Sequence, residues 1–590
     1  MIIFSDIIIS HILNFYVNPT IFPHYFFSSS GPVLVNQITL FNLFNLSLVC
    51  KKWARVIVPS LSYPPYTIND PADLMILYRL KEKKISLSDI HLTIEHTDID
   101  VERLRSLQDN VTSLWCQEDA LANREFLYYN NCSNIELYYD DEILAKEKDF
   151  QEISSVLVKK QHERNTVRPL QSLLISLHNP VSIDEAGLLQ FINLMKPKEM
   201  HFESTICFTF LKNIGYLARA PCLDQLLMDN ITVSLVECGD LIKFNQTIKT
   251  ISMFEISVEN VTNYSQIDVS FINNLLERDK VILCFNLFIK FSKCFATLES
   301  FNSLFSNNKT LTSFGCNITA SATDKLLAPI KNACVRNLSI MSSNHLIFKN
   351  STFDSLKTLM LNDIDFSFTD TFFKSTLIPS SLTNISIHSL AQIYDKKVDY
   401  CLLPFFDSCK NLISFSISGY NESRDQEKLF KDLFESINNH RCIEKLTLYL
   451  TFIEEKFINQ LIKSNHPSLK NLKVRIKEGT KDFSMILDPL VYNTSLQCCQ
   501  IENFSNHSQG LNPVDFIIDI LNKNKSLVSL KLNYQRTSSI GDYDSKQSTV
   551  ETLVNSIRHN LTLKSLNLPF WFMDNPKIIK AMASNSIICK

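Results

Sequence analysis

The sequence predicts an α/β chain built as an irregular solenoid, with a parallel sheet inside and helices outside, preceded by a small helical module. Three observations predict it. A short apolar phrase recurs through most of the chain, the segments between its copies switch to helical period, and 590 residues exceed what one compact core ordinarily holds. Composition is that of a folded chain, 45% hydrophobic and 20% charged, and a formal net charge of −3 provides no chain-wide attraction to nucleic acid or anionic membrane.

The first element is a helical module over residues 1–60. From Phe4, Ser5 is a fitting cap, Asp6 favours the positive helix start, and Ile8, Ile9, Ile12 and Leu13 recur at helical spacing. Residues 18–37, with Pro19, Pro23, Pro32 and a run of serines, read as an inserted loop. From Asn45 to Leu61, one helical face collects Leu46, Val49, Cys50, Trp53, Val56 and Ile57, while Lys51, Lys52 and Arg55 take the other and Pro59 ends it. The order Ser47-Leu48-Val49-Cys50-Lys51-Lys52-Trp53 resembles the second half of an F-box, and the upstream helix supplies the first half. Phe4-Ser5 stands where that family usually has Leu-Pro, and Ile7 where an acidic residue is common. The resemblance implies docking on a Skp1-like adaptor of a cullin-RING ubiquitin ligase, with Ile8, Ile12, Leu46, Leu48, Val49 and Trp53 in contact with the adaptor or packed behind those that are.

The second element is a connector over residues 61–84. Pro64, Pro65 and Pro71 follow Pro59 closely, and prolines exclude continuous helix, so the segment reads as a stiff spacer.

The third element, residues 85–590, is the solenoid. The phrase is apolar, two residues, apolar, one residue, apolar, as in Leu170-Leu173-Ile175, Leu356-Leu359-Leu361, Ile443-Leu446-Leu448 and Leu527-Leu530-Leu532. After Leu311 its copies start between 21 residues apart, Val335 to Leu356, and 36 apart, Leu527 to Leu563. Weaker copies fall near Leu87, Val111, Cys132, Pro197 and Ile282. Between copies, Phe457 and Leu461, then Val514, Ile517, Ile518 and Leu521, then Leu553 and Ile557 keep helical spacing. Asn465, Asn524 and Asn560 follow those helices and are read as helix stops through left-handed backbone. That reading also takes Asn524-Lys-Ser and Asn560-Leu-Thr, which match the glycosylation pattern, as structural. A strand with three apolar contacts and one helix cannot bury its own inner face, so the units must stack. This is similar to the leucine-rich-repeat family in its longer, ribonuclease-inhibitor-like form. That family's phrase continues to Asn or Cys at the ninth position, whereas Thr319, Ile364, Thr451, Phe504 and Gln535 stand there in this chain, so no regular asparagine ladder is expected.

Glycine content removes whole classes of enzyme. Only nine glycines occur, none close to another, so the phosphate-binding loops and the nucleophile elbow, each needing two within six residues, are absent. Sixteen scattered cysteines without C-x-x-C read as reduced thiols, and no run of eighteen apolar residues occurs. The resulting expectation is a cytoplasmic or nuclear protein with no catalytic residues, metal or cofactor and no nucleic-acid or membrane partner.

Strand alternation sends the third, fifth and seventh phrase positions to the open face of the sheet. There Lys445, Lys473, Arg475 and Lys531, with Tyr449 at their edge, form a candidate binding patch for a protein target rich in acidic residues or phosphate. Together with the F-box resemblance this predicts a non-catalytic substrate receptor of an SCF-type ligase. The rival is a cytosolic leucine-rich-repeat scaffold or inhibitor whose degenerate F-box has no ligase role.

Overall fold

The computed structural model describes residues 66–68, 90–94, 111–117, 132–139, 169–177, 185–204, 210–211, 214–258, 266–289, 293–317, 319–320, 331–341, 352–362, 380–390, 406, 408–419, 426–476, 484–504, 513–534, 547–568, 572, 575–585 and 587–589. The six residues expected to serve the adaptor, Ile8, Ile12, Leu46, Leu48, Val49 and Trp53, lie outside them. The chain divides into two compact units, Met1–Gln266 with Asp279–Ser292, and Ile267–Arg278 with Lys293–Lys590.

In the first unit nine strands pair one after another, all parallel: β1 (Tyr66–Ile68), β2 (Ile90–Ile94), β3 (Val111–Gln117), β4 (Asn134–Tyr139), β5 (Ser172–Leu177), β6 (Glu199–Ser204), β7 (Gln225–Asp229), β8 (Thr250–Val258) and β9 (Cys284–Ile289). Helix α1 (Glu185–Met195) precedes β6, and α2 (Leu235–Lys243) precedes β8. Strand β1 falls inside the segment read as a spacer, so that segment contributes a strand to the sheet. The weak phrases near Val111, Cys132, Pro197 and Ile282 lead into β3, β4, β6 and β9. Inward residues line up across the pairs, from Leu114 through Ile135, Leu173, Met200, Leu226 and Ile251 to Phe285, and each is buried.

The second unit repeats the pattern more regularly. Helices α3 (Ser270–Arg278) and α4 (Leu298–Asn307) pack on each other, and Thr297 caps α4 by accepting the Ser300 amide at 3.1 Å. Ten strands follow in parallel register: β10 (Ser313–Cys316), β11 (Asn337–Met341), β12 (Thr358–Asn362), β13 (Asn384–Leu390), β14 (Ser414–Gly419), β15 (Lys445–Ile453), β16 (Asn471–Ile476), β17 (Cys498–Phe504), β18 (Ser529–Tyr534) and β19 (Ser565–Leu566). Strand β20 (Ile588–Cys589) pairs with β19. From β14 on, a helix follows each longer strand: α5 (Gln426–Asn439), α6 (Glu455–Lys463), α7 (Ser484–Tyr492), α8 (Pro513–Lys523) and α9 (Gln547–His559); α10 (Pro576–Ser584) follows β19, and each helix packs on the next. The pattern of a parallel strand, a return helix and a buried apolar triplet is a leucine-rich-repeat solenoid. Phe415, Leu446, Leu472 and Cys499 form one inward row, all essentially inaccessible to solvent. Each aliphatic side chain so buried contributes on the order of 1.5–3 kcal/mol. Phenylalanines thicken this core, with Phe305 meeting Phe314 and Phe353 edge-on at 5.4 and 5.5 Å.

Where a helix returns to the sheet, the chain must turn while its last carbonyls and next amides leave regular pairing. One buried side chain satisfies them, three residues before the first apolar position of the phrase. Asn524 Oδ1 accepts the amides of Ser526 and Leu527 at 2.9 and 2.8 Å, and Nδ2 donates to the carbonyls of Leu490 and Asn493, 34 and 31 residues upstream. Asn493 takes the amides of Ser495 and Leu496 and donates to Ile462; Asn560 takes Thr562 and Leu563 and donates to Leu521. Asn308 and Asn332 repeat the arrangement, donating to Leu276 and Phe305. Histidine substitutes twice: His466 Nδ1 accepts the Leu469 amide while Nε2 faces the carbonyls of Ile437 and His440, and His440 bridges Cys442 and Cys409 in the same sense. In the first unit Asp279 caps the amides of Val281 and Ile282, and burial raises its pKa against the lowering effect of those two bonds.

An asparagine ladder therefore exists, contrary to the sequence expectation, but before the strand rather than at the ninth position. The helix-stop reading is corrected with it. Asn465 does take left-handed backbone, at φ 49°, whereas Asn524 and Asn560 do not and close their helices through side-chain hydrogen bonds.

Asn524→Ala would leave buried amides and carbonyls unpaired, and each such group costs about 1–3 kcal/mol. The expected loss is about 2–4 kcal/mol in urea unfolding followed by circular dichroism. Asn522→Ala, at an exposed position on the same turn, should change stability by no more than about 0.5 kcal/mol. Leu446→Asp places a charge on a fully buried row and should cost more, at least about 4 kcal/mol.

Candidate functional site

The open face of the second unit's sheet is set by alternation. Between the buried residues of β15 to β18 stand Lys445, Thr447 and Tyr449; Asn471, Lys473 and Arg475; Cys498, Gln500 and Glu502; and Ser529 and Lys531, all partly or fully exposed. Parallel pairing without slippage from the third to the sixth phrase position stacks like positions in rows. One row runs Ser416, Thr447, Lys473, Gln500, Lys531, and the row below it runs Ser414, Lys445, Asn471, Cys498, Ser529.

The row above holds a hydrogen-bonded cluster. Arg475 and Glu502 are register partners, and the guanidinium Nη2 donates to Glu502 Oε2 at 3.1 Å. The guanidinium carbon also lies 5.2 Å from the Tyr449 ring centroid, a cation–π geometry. Gln500 Nε2 donates to Glu502 Oε1 at 3.1 Å and reaches the Tyr449 hydroxyl at 3.4 Å. Burial, followed by the charge and hydrogen bond of Glu502, pushes the Tyr449 phenol up to about 12, with Arg475 pulling the other way. The phenol is thus held neutral as a hydrogen-bonding group.

All five residues expected for the patch lie on this face, in three adjacent rows. Lys473 and Lys531 flank Gln500 in one row, and Lys445 lies on β15 in the row below. Arg475 differs from the sequence expectation of a fork open to a ligand: one arm is held by Glu502 and its face by Tyr449. The strands β15 to β18 still present four cationic side chains against one carboxylate on the face, so a positive field remains. Sequence reading missed His388, whose Nε2 meets Ser386 Oγ at 2.6 Å and whose Nδ1 meets Ser418 Oγ at 2.9 Å on the neighbouring strand. Burial lowers its pKa. Its fifth-and-seventh phrase spacing to Ser386 was the available signal.

Among the described residues no group of three His, Cys, Asp or Glu side chains could hold a metal ion, and no helix is long and apolar enough to cross a membrane. No family model matches the chain, and no curated protein matches it. Among solved structures it is similar to an internalin (inlF) from Listeria monocytogenes str. 4b F2365, at 12% identity and a TM-score of 0.31, covering 66% of this chain and 89% of that one. The repeat architecture is accordingly assigned on the phrase, the parallel register and the buried triplets.

The Tyr449 environment has a measurable consequence. Its folded pKa lies above the ordinary value of 10, so its contribution to stability is intact below pH 10 and disappears as pH rises toward 12. Alkaline difference spectra between the wild type and Tyr449→Phe should show this phenol ionising near pH 12, and in Glu502→Gln it should ionise lower, because the repelling charge is gone.

Proposed function

We propose that the chain is a non-catalytic protein-binding scaffold acting as the substrate receptor of a cullin-RING ubiquitin ligase. The open sheet face of the second unit holds the target, and the N-terminal module docks on the Skp1-like adaptor. The observation that carries the binding part is the ordered face of β15 to β18, where Tyr449, Arg475, Gln500 and Glu502 fix one another beside Lys445, Lys473 and Lys531. A preorganised polar cluster with an aromatic ring and surplus positive charge fits an acidic or phosphorylated segment, since little ordering cost remains at binding. The ligase part rests on the order Ser47 to Trp53 and on the apolar residues Ile8, Ile9, Ile12 and Leu13 that precede it at helical spacing. In such a receptor the chain supplies orientation and local concentration while another subunit carries out acyl transfer.

Two titrations of the purified full chain test the two parts separately. Calorimetry with a Skp1-like adaptor should give saturable binding that Val49→Ala with Trp53→Ala weakens by about tenfold or more, with circular dichroism unchanged. Absence of adaptor binding by the wild type would leave the rival scaffold or inhibitor reading. Fluorescence anisotropy with a phosphoserine- and glutamate-containing peptide should show binding that falls about tenfold or more when Lys445, Lys473, Arg475 and Lys531 are replaced by serine. Equal affinity would leave those cations as solvated surface.

A further inference from the structure

In the first unit the open face of the described strands β4 to β9 carries the opposite charge. Glu136, Glu199, Glu203 and Asp229 lie on it, and the six strands β4 to β9 contain no Lys or Arg. Burial first, and then repulsion from Glu203, raises the pKa of Glu136. His201, on the same face, has its pKa lowered by burial against the pull of Glu203 and Asp229, and its Nε2 is enclosed without a hydrogen-bond partner.

Beside the carboxylates stands an aromatic pair. On β8, Met253 pairs with Leu287 and Ile256 with Ile289, one residue more on β8 than on β9, so the strand bulges between them. Glu255 takes the left-handed region, at φ 51°, to accommodate the extra residue. As a result Phe254 and Glu255 are consecutive and both exposed, an interruption of the alternation. The Phe254 ring, 37% exposed, stacks on Phe288 with centroids 5.4 Å apart and planes 9° apart. Phe254 is the register partner of Asp229, which is the register partner of Glu203, so an open aromatic surface and two carboxylates occupy three neighbouring strands spaced about 4.8 Å apart.

We propose that this face holds an arginine-bearing cationic segment of a partner protein, with a guanidinium laid against the Phe254 and Phe288 pair and its N–H groups turned to Asp229 and Glu203. Arginine fits better than lysine. Its guanidinium is planar, stacks on a ring face and donates in pairs from its edge, whereas an ammonium is a compact, strongly hydrated point charge. The site lies in the other unit from the Tyr449 cluster and selects the opposite charge, so it stands or falls independently of the proposed receptor role.

The probe is a fluorescein-labelled twelve-residue peptide of alternating Arg and Ser, compared with its Lys and Glu counterparts, titrated with the full chain and followed by anisotropy. The Arg peptide should bind most tightly, the Lys peptide more weakly and the Glu peptide not at this face. Glu203→Gln with Asp229→Asn should weaken Arg-peptide binding about tenfold or more. Phe254→Leu, which keeps an exposed apolar side chain without a ring face, should weaken it by about three- to tenfold and should remove most of the preference for Arg over Lys. Circular dichroism identifies any variant that does not fold, and because Phe254 is exposed the Leu variant keeps the test decisive if the double carboxylate variant is lost. The proposal is overturned if the wild type does not bind the Arg peptide, if either variant binds it as tightly as the wild type, or if Arg and Lys peptides bind alike.

Discussion

The structure depends on how each return from helix to sheet satisfies its backbone. A solenoid of short parallel strands needs a tight corner in every repeat, and corners buried between neighbours have no water to pair with. Asn308, Asn332, Asn493, Asn524 and Asn560 solve this with one side chain each, accepting from two amides of their own corner and donating to a carbonyl of the repeat before. A carboxamide is suited to the task because it carries an acceptor and a donor on one planar group, and imidazole has the same pairing across its ring, which explains His440 and His466. The bond to the earlier repeat also fixes the step from one repeat to the next, so each corner helps set the register of the strand that follows.

Register in turn makes the faces. With Leu446 held opposite Phe415 and Leu472, Lys445 and Thr447 are held opposite their counterparts on both neighbouring strands, and Tyr449, Arg475 and Glu502 are brought together from three separate repeats. The apolar triplet and the corner residue are fixed by the fold, while the fifth and seventh phrase positions remain open to vary in chemistry. That freedom allows carboxylates on the strands of the first unit and lysines and arginine on those of the second. The bulge in β8 is a departure from regular pairing at an exposed aromatic residue, where such irregularities re-aim side chains.

Most of this architecture was legible in the sequence because the inward triplet is periodic and apolar, and the helices between copies carry their own 3.6-residue pattern, as Val514, Ile517 and Leu521 do on α8. The face was legible for the same reason: Arg475 and Glu502 occupy the same phrase position in consecutive copies, which is what makes them partners. Three features were not legible. The asparagine ladder was sought at the position that another repeat form uses, and Asn524 alone looks like any polar residue after a helix until its reach of 34 residues upstream is known. The bulge at Glu255 shifts register without any glycine or proline to announce it. Strand β1 is only three residues long, too short for alternation to show, and lies next to Pro64 and Pro65.

The corner bonds can be read directly by native-state hydrogen exchange on the full chain. The amides of Leu311, Val335, Leu496, Leu527 and Leu563 lie just outside the strands, yet each donates to a buried asparagine oxygen. They should therefore exchange as slowly as the amides of the strands that follow, opening only when the repeat itself unfolds. Exchange at these five positions as fast as in exposed turns would show that the side chains do not close the corners and would remove the basis for the register of the second unit's strands.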